Sequence, residues 1–262
     1  GCASGWGELV VFPGNGDGSF GAPRRFAVGY SPKAFATTDT NGDGWIDIAV
    51  VNQCSTANSN CPREGDVSLL IGRGDGTFNE QARFPVGFDP AAVASGDLNG
   101  DGRDDLVVEN RCCPAANLSI LLGKADGTLG PEMRFRPDQV RVNTLAMLLE
   151  DIDADGLRDL VLASFYADLV VVMKGQGDGT FANPTFTKTT PVGDGPRALA
   201  LGDFDRDGRT DLAVANIEAG NVFILPGNGD LTFGQLPRRL SDRQATAVVL
   251  DDFNRDLKTD MA

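Results

Sequence analysis

Short apolar runs, each bounded by Gly, Asp or Asn, recur along the chain in a fixed order. One type, such as Ala91-Ala92-Val93-Ala94 or Ala198-Leu199-Ala200-Leu201, precedes an Asp-rich segment. A second follows that segment, as in Asp105-Leu106-Val107-Val108 and Asp211-Leu212-Ala213-Val214. A third leads into a Gly-rich segment, as in Ser68-Leu69-Leu70-Ile71 and Val222-Phe223-Ile224-Leu225. A fourth, more polar, comes after it, as in Gln81-Ala82-Arg83-Phe84. Runs of this length with such borders predict β-strands, and no stretch sustains a helical period. The expected class is all-β.

The Asp-rich segment is a motif that occurs five times: DTNGDGWID at 39–47, DLNGDGRDD at 97–105, DIDADGLRD at 151–159, DFDRDGRTD at 203–211 and DFNRDLKTD at 252–260. The Gly-rich segment also occurs five times: GNGDGSF at 14–20, GRGDGTF at 72–78, GKADGTL at 123–129, GQGDGTF at 175–181 and GNGDLTF at 227–233. The two alternate without exception. In the second motif the glycines supply positive φ for a hairpin turn, and the Thr-Phe pair returns the chain to a strand. Four strands in a unit of about 52 residues, radially repeated, predict a β-propeller blade. The chain holds five blade-equivalents and is expected to form a single domain over 1–262, either a closed five-bladed ring or part of a longer, for example seven-bladed, propeller. It starts on a third strand around Glu8 to Phe12 and stops where a second strand begins, at Asp260. Sequence missing at the ends is therefore expected.

The acidic motif carries oxygen side chains at positions 1, 3, 5 and 9, with Gly at position 6 in four of five copies. Calcium takes six to eight hard oxygens from carboxylates, amides and backbone carbonyls. Alternate residues of a tight loop turn their oxygens inward, and glycine permits the left-handed bend around an ion. The first copy offers Asp39, Asn41, Asp43 and Asp47, with the backbone carbonyl of Trp45; the second offers Asp97, Asn99, Asp101 and Asp105, with that of Arg103. The third offers Asp151, Asp153, Asp155 and Asp159 with Leu157, and the fourth Asp203, Asp205, Asp207 and Asp211 with Arg209. The fifth offers Asp252, Asn254, Asp256 and Asp260 with Lys258, but has Leu257 in place of the glycine and is expected to bind most weakly. An EF-hand needs an acidic ligand at position 12. That position is Val50, Val108, Leu162 and Val214 in the first four copies, so these loops close through position 9, between strands.

The alternation of D-x-[DN]-x-D-G-x-x-D with G-x-G-D-G-T-F resembles the FG-GAP/VCBS repeat family, which includes the calcium-binding β-propeller of integrin α subunits. The likeness covers essentially the whole chain. It implies a four-stranded blade with the calcium loop between its first and second strands, and roles in adhesion, ligand binding or extracellular assembly.

Composition sharpens this picture. There is no histidine, which removes Ser-His-Asp and Cys-His catalysis and His-ligated zinc. Lys and Arg number 23 against 37 Asp and Glu, a net charge of −14 that argues against a nucleic-acid partner. Seventeen of those carboxylates occupy ligand positions, and five calcium ions would bring the charge to −4. Apolar runs such as 169–173 are too short to span a bilayer. The start at Gly1-Cys2-Ala3 is expected of a mature or trimmed chain.

The cysteines are Cys2, Cys54, Cys61, Cys112 and Cys113, all between second and third strands. Alignment of Cys54 with Cys112 and of Cys61-Pro62 with Cys113-Pro114 suggests a Cys54–Cys61 disulfide and a vicinal Cys112–Cys113 one, with the partner of Cys2 upstream. The alternative is five reduced thiols. Cysteines in such loops favour an oxidising compartment. Arg73-Gly74-Asp75 is read as the local version of the hairpin, and Asn117-Leu118-Ser119 fits an N-glycosylation acceptor.

Together these features predict a secreted or cell-surface, calcium-binding module for adhesion, ligand binding or assembly into a filament or surface layer. Its partner would be an extracellular protein, a glycan or another copy, and the loop from Gln53 to Gly65 is the first candidate surface. A lectin is the alternative, weakened by the presence of only two Trp and two Tyr. A polysaccharide lyase or hydrolase is a third reading, but its carboxylates are already assigned to calcium, so no enzyme is expected.

Overall fold

The computed structural model describes residues 6–55, 64–111, 117–135, 144–182, 185–188, 194–234, 238–239, 245–248, 250–253 and 260–262. Among them there is no helix, and therefore none long and apolar enough to cross a membrane. The chain divides into two compact units, the first comprising 1–97 and 101–136 and the second 98–100 and 137–262.

The first unit opens with an antiparallel pair, β1 (Gly7–Val11) and β2 (Arg24–Val28). A four-stranded antiparallel meander follows: β3 (Tyr30–Thr38), β4 (Asp47–Cys54), β5 (Glu64–Leu70) and β6 (Ala82–Phe88). A second meander is made of β7 (Pro90–Gly96), β8 (Asp105–Asn110), β9 (Asn117–Leu121) and β10 (Met133–Phe135). Strands β4, β5, β8 and β9 are buried on both faces, which is why their sequences read as continuous apolar runs rather than alternating ones. Along β4, Ala49 and Val51 join a core with Leu106, Val108 and Leu121 of the next sheet. The alternate residues Ile48 and Val50 pack with Val28 and Leu70, beside Leu9, Val11 and Phe26 of the opening pair. Each aliphatic side chain so buried stabilises by roughly 1.5–3 kcal/mol.

The second unit repeats the plan. One meander runs through β11 (Thr144–Glu150), β12 (Asp159–Ser164), β13 (Leu169–Met173) and β14 (Thr185–Lys188). The next runs through β15 (Pro196–Gly202), β16 (Asp211–Asn216), β17 (Asn221–Leu225) and β18 (Arg238–Arg239), and β19 (Leu250–Asp251) with β20 (Asp260–Met261) forms a final pair. Val161, Ala163, Val170 and Val172 meet Leu212, Val214, Phe223 and Phe233 in a shared core. In all four meanders the first strand carries a register shift near its start, against the second strand.

The predicted strand phase is thus observed: acidic segments join first to second strands, and Gly-rich segments join third to fourth. In three of the sheets, the Asn near the end of the second strand donates across to the third strand. Asn52 donates to Asp66 and Ser68 at 2.8 Å, Asn110 to Asn117 and Ser119 at 2.8 Å, and Asn216 to Asn221 at 3.0 Å. The burial of Asn117 corrects the glycosylation reading: its side chain is enclosed in the sheet, so the folded chain exposes no acceptor there.

Candidate metal centre

Each of the first four acidic loops is held first by its own carboxylates. Asp39 accepts the amides of Asp43 at 3.1 Å and Gly44 at 2.9 Å, one on each oxygen. Asp97, Asp151 and Asp203 repeat this with Asp101 and Gly102, Asp155 and Gly156, and Asp207 and Gly208. The position-5 carboxylates then accept the position-7 amides: Trp45 at 2.8 Å, Arg103 at 3.0 Å, and Leu157 and Arg209 at 2.9 Å. Two residues per loop are left-handed. Position 6 is Gly in these four loops, with φ between 79° and 87°. Position 4 is Gly42 and Gly100 in the first two but Ala154 (φ 58°) and Arg206 (φ 64°) in the others.

Position 9 has a second task. Asp47 is fully buried; one oxygen accepts the Thr40 amide and hydroxyl at 3.0 and 2.7 Å, and the other accepts the Gly72 amide at 2.9 Å. The same joint links Asp159 to Ile152 and Gly175, and Asp211 to Phe204 and Gly227; Asp105 accepts the amide of Gly123. It clamps the acidic loop to the first glycine of the hairpin. A Cβ on that glycine would lie 2.1–2.4 Å from the position-8 carbonyl oxygen of Ile46, Asp104, Arg158 or Thr210. Only glycine fits. The position-7 side chains complete the clamp by covering the hairpin's second glycine, Trp45 over Gly74, Leu157 over Gly177 and Arg209 over Gly229.

Among the described residues, three carboxylates converge in two of the loops. Asp151, Asp153 and Asp159 offer oxygens within 4.8 Å of one another, as do Asp203, Asp205 and Asp211. The position-5 partners are drawn elsewhere: Asp155 pairs with Lys174 at 2.8 Å, and Asp207 with Arg209. In the first loop Asn41 donates to Asp43 at 2.8 Å, and Arg103 pairs with Asp101 at 2.5 Å in the second. Burial pushes the Asp47 and Asp159 carboxyls up, and the charges of Asp153 and Asp155 add to the effect at Asp159. Asp153 is paired with Lys174 through Oδ2, while its Oδ1 is buried and has no hydrogen-bond partner. A buried, unpartnered carboxylate oxygen beside two further carboxylates is what an all-oxygen cation site presents. The residues fit a hard divalent ion.

Of the fifth loop, Asp252 follows β19 and Asp260 lies in β20, while Asn254, Asp256, Leu257 and Lys258 fall outside the described residues. Cys54 is buried at the end of β4 and disulfide-bonded. Cys2, Cys61, Cys112 and Cys113 lie outside the described residues. Arg73-Gly74-Asp75 is a hairpin, as read: Arg73 pairs with Asn79, and Asp75 accepts the amide and hydroxyl of Thr77.

The sequence pattern of the FG-GAP-like repeat matches residues 39–108, 151–214 and 203–262. The chain belongs to the FG-GAP-like repeat family. These matches span the first to fifth acidic loops. The chain is 25% identical to integrin alpha pat-2 of Caenorhabditis briggsae, over 73% of its own length and 18% of that relative's. It thus spans less than a fifth of that protein. Among solved structures it is similar to an Agrocybe aegerita lectin studied for recognition of non-reducing terminal N-acetylglucosamine. That match has a TM-score of 0.59 at 18% identity, covering 89% of this chain and 60% of the lectin. The likeness supports the propeller fold of this FG-GAP-like chain.

Proposed function

We propose that this FG-GAP-like chain is a calcium-stabilised propeller module of the extracellular space or cell surface, binding a protein or a glycan and performing no catalysis. The observation that carries the metal reading is the convergence of Asp203, Asp205 and Asp211, whose oxygens lie within 4.8 Å of one another. These residues would hold the ion, which would supply charge neutralisation between strands, and Asp151, Asp153 and Asp159 form the same kind of cluster in the third loop. The cysteine-bearing chain and its integrin-type relative support an extracellular setting. The Cys54–Cys61 pairing remains part of this proposal.

Extracellular calcium modules bind at about 0.1–1 mM. In about 2 mM calcium, a 0.1 mM site contributes about 1.5–2 kcal/mol by mass action. Chelation should lower the melting temperature by about 3–8 °C per such site lost. Calorimetry with and without a calcium-selective chelator checks this, and an unchanged melting temperature would overturn the calcium reading.

Glycan binding has one observation in its favour. Trp6 and Tyr30, half of the chain's Trp and Tyr, stack 4.8 Å apart beneath the Arg83 guanidinium, and Trp6 remains exposed. Aromatic faces beside charged groups are suited to sugar rings. A glycan array compared between the natural chain and Trp6→Ala tests it; no glycan captured leaves the protein partner.

A further inference from the structure

The residue that leads into the hairpin's first glycine is Pro13, Ile71, Leu122 and Pro226 in four copies, but Lys174 in the fourth hairpin, which belongs to the sheet of the third acidic loop. Its side chain turns back into the acidic loop of its own sheet. The ammonium lies 2.5 Å from Asp153 and 2.8 Å from Asp155, the position-3 and position-5 carboxylates. It reaches them from the end of β13, outside the loop. In the fourth loop Arg209 comes from the loop itself and forms an ion pair with Asp207, acting on Asp205 and Asp211 only through its charge.

We propose that the third acidic loop carries its own cation: the Lys174 ammonium does there what a divalent ion does in the fourth loop, so that loop 151–159 keeps its shape without metal. The inference rests on the calcium reading above. Three properties support it. An ammonium offers three donors, enough to bridge two carboxylates, and its attachment to the same sheet gives it a high effective concentration. Asp153, its nearer partner, is mostly shielded from solvent, so screening there is weak. A metal entering this loop has to displace the lysine, while in the fourth loop it meets carboxylates that no lysine bridges.

Hydrogen exchange of the full chain, with calcium and with chelator, tests this. Peptides over 203–211 should exchange about tenfold or more faster once calcium is removed, whereas those over 151–159 should change by less than about twofold. In Lys174→Met the loop 151–159 should become calcium-dependent, and calorimetric titration should count one more ion than in the natural chain. Lys174→Arg should stay calcium-independent. If 151–159 follows 203–211 in the natural chain, the lysine inference is wrong while the calcium reading stands. If neither loop responds, the calcium reading fails and takes this inference with it. Should Lys174→Met not fold, the comparison of the two loops in the natural chain still decides.

Discussion

Asp159 illustrates how one side chain can serve two purposes. Its oxygens accept the amides of Ile152 and Gly175 while it also lies among the carboxylates that would hold a cation. Asp159→Asn would set an NH2 group against one of those amides and leave a buried donor unmade. The expected cost is about 2–4 kcal/mol, the scale of a lost charge-assisted bond plus an unsatisfied group. It should persist in chelator, where a pure metal ligand would cost nothing; urea denaturation in both conditions separates the roles. The glycine on the other side of the joint makes a paired prediction. Gly175→Ala brings a Cβ to 2.2 Å from the Arg158 carbonyl oxygen and should destabilise by about 1–3 kcal/mol. Gly14→Ala, at the same motif position but with nothing within 4 Å, should leave the melting temperature nearly unchanged. The motif made both glycines look alike; only the opposing carbonyl distinguishes them. The paired carboxylates of positions 1 and 3 were readable from spacing. The buried joint at position 9 was not, because Asp and Gly are 25 residues apart in one sheet and 16 in another. A variable strand-to-strand turn hides that contact from any periodic search.

At the level of the element, the hairpins show how local chemistry and packing trade. Asp178 accepts the amide and hydroxyl of Thr180 at 2.9 and 2.6 Å, and these bonds hold its carboxyl below the usual value of 3.8. A carboxyl lowered on folding contributes stability that is present above its unfolded value and is lost as pH falls through the folded one. Thr180→Val should therefore lower stability at neutral pH, and the gap to the natural chain should close as pH drops below 3.8. Denaturation at a series of pH values reads this directly. In the last hairpin, Leu231 stands where other copies have glycine, with φ 70° and its side chain in the core. Left-handed backbone costs about 1–2 kcal/mol, whereas burying a leucine contributes roughly 1.5–3. Glycine also adds chain entropy, so Leu231→Gly should destabilise by about 1 kcal/mol although it relieves the turn. A chemical-denaturation midpoint that rises would contradict this balance. The hairpins and strands themselves were legible as glycine spacing and apolar runs. The need for a left-handed residue at position 4 was masked, since Ala154 and Arg206 stand where two copies carry glycine.

Across the molecule, repetition is what made the fold legible. Four complete meanders and two end pairs among the described residues fall where the alternating motifs put them. Charge belongs at this scale too. The −14 of the bare chain is concentrated in loops whose carboxylates are bound to backbone amides, to lysine or arginine, or gathered around a common point. Little of it is a diffuse acidic surface. Lys174 departs from the repeat because a residue in strand-leading position reaches a loop about twenty residues earlier, a relation that appears only once the sheet is formed.

The Asp–Gly joint has a consequence for how such chains grow. Its bonds run between a second strand and the end of the third strand beside it, so every hydrogen bond of the joint is internal to one sheet. A copied repeat brings its own fastening, and it meets the sheet before partly through backbone, as where the Asp104 amide donates to the Asp39 carbonyl. Meanwhile the segments joining second to third strands lie outside the fastening and differ in length, from nine residues between β4 and β5 to four between β16 and β17. Gene duplication can thus multiply the sheets and diversify one rim of them independently, with the fastened end as the constant part of the copying unit.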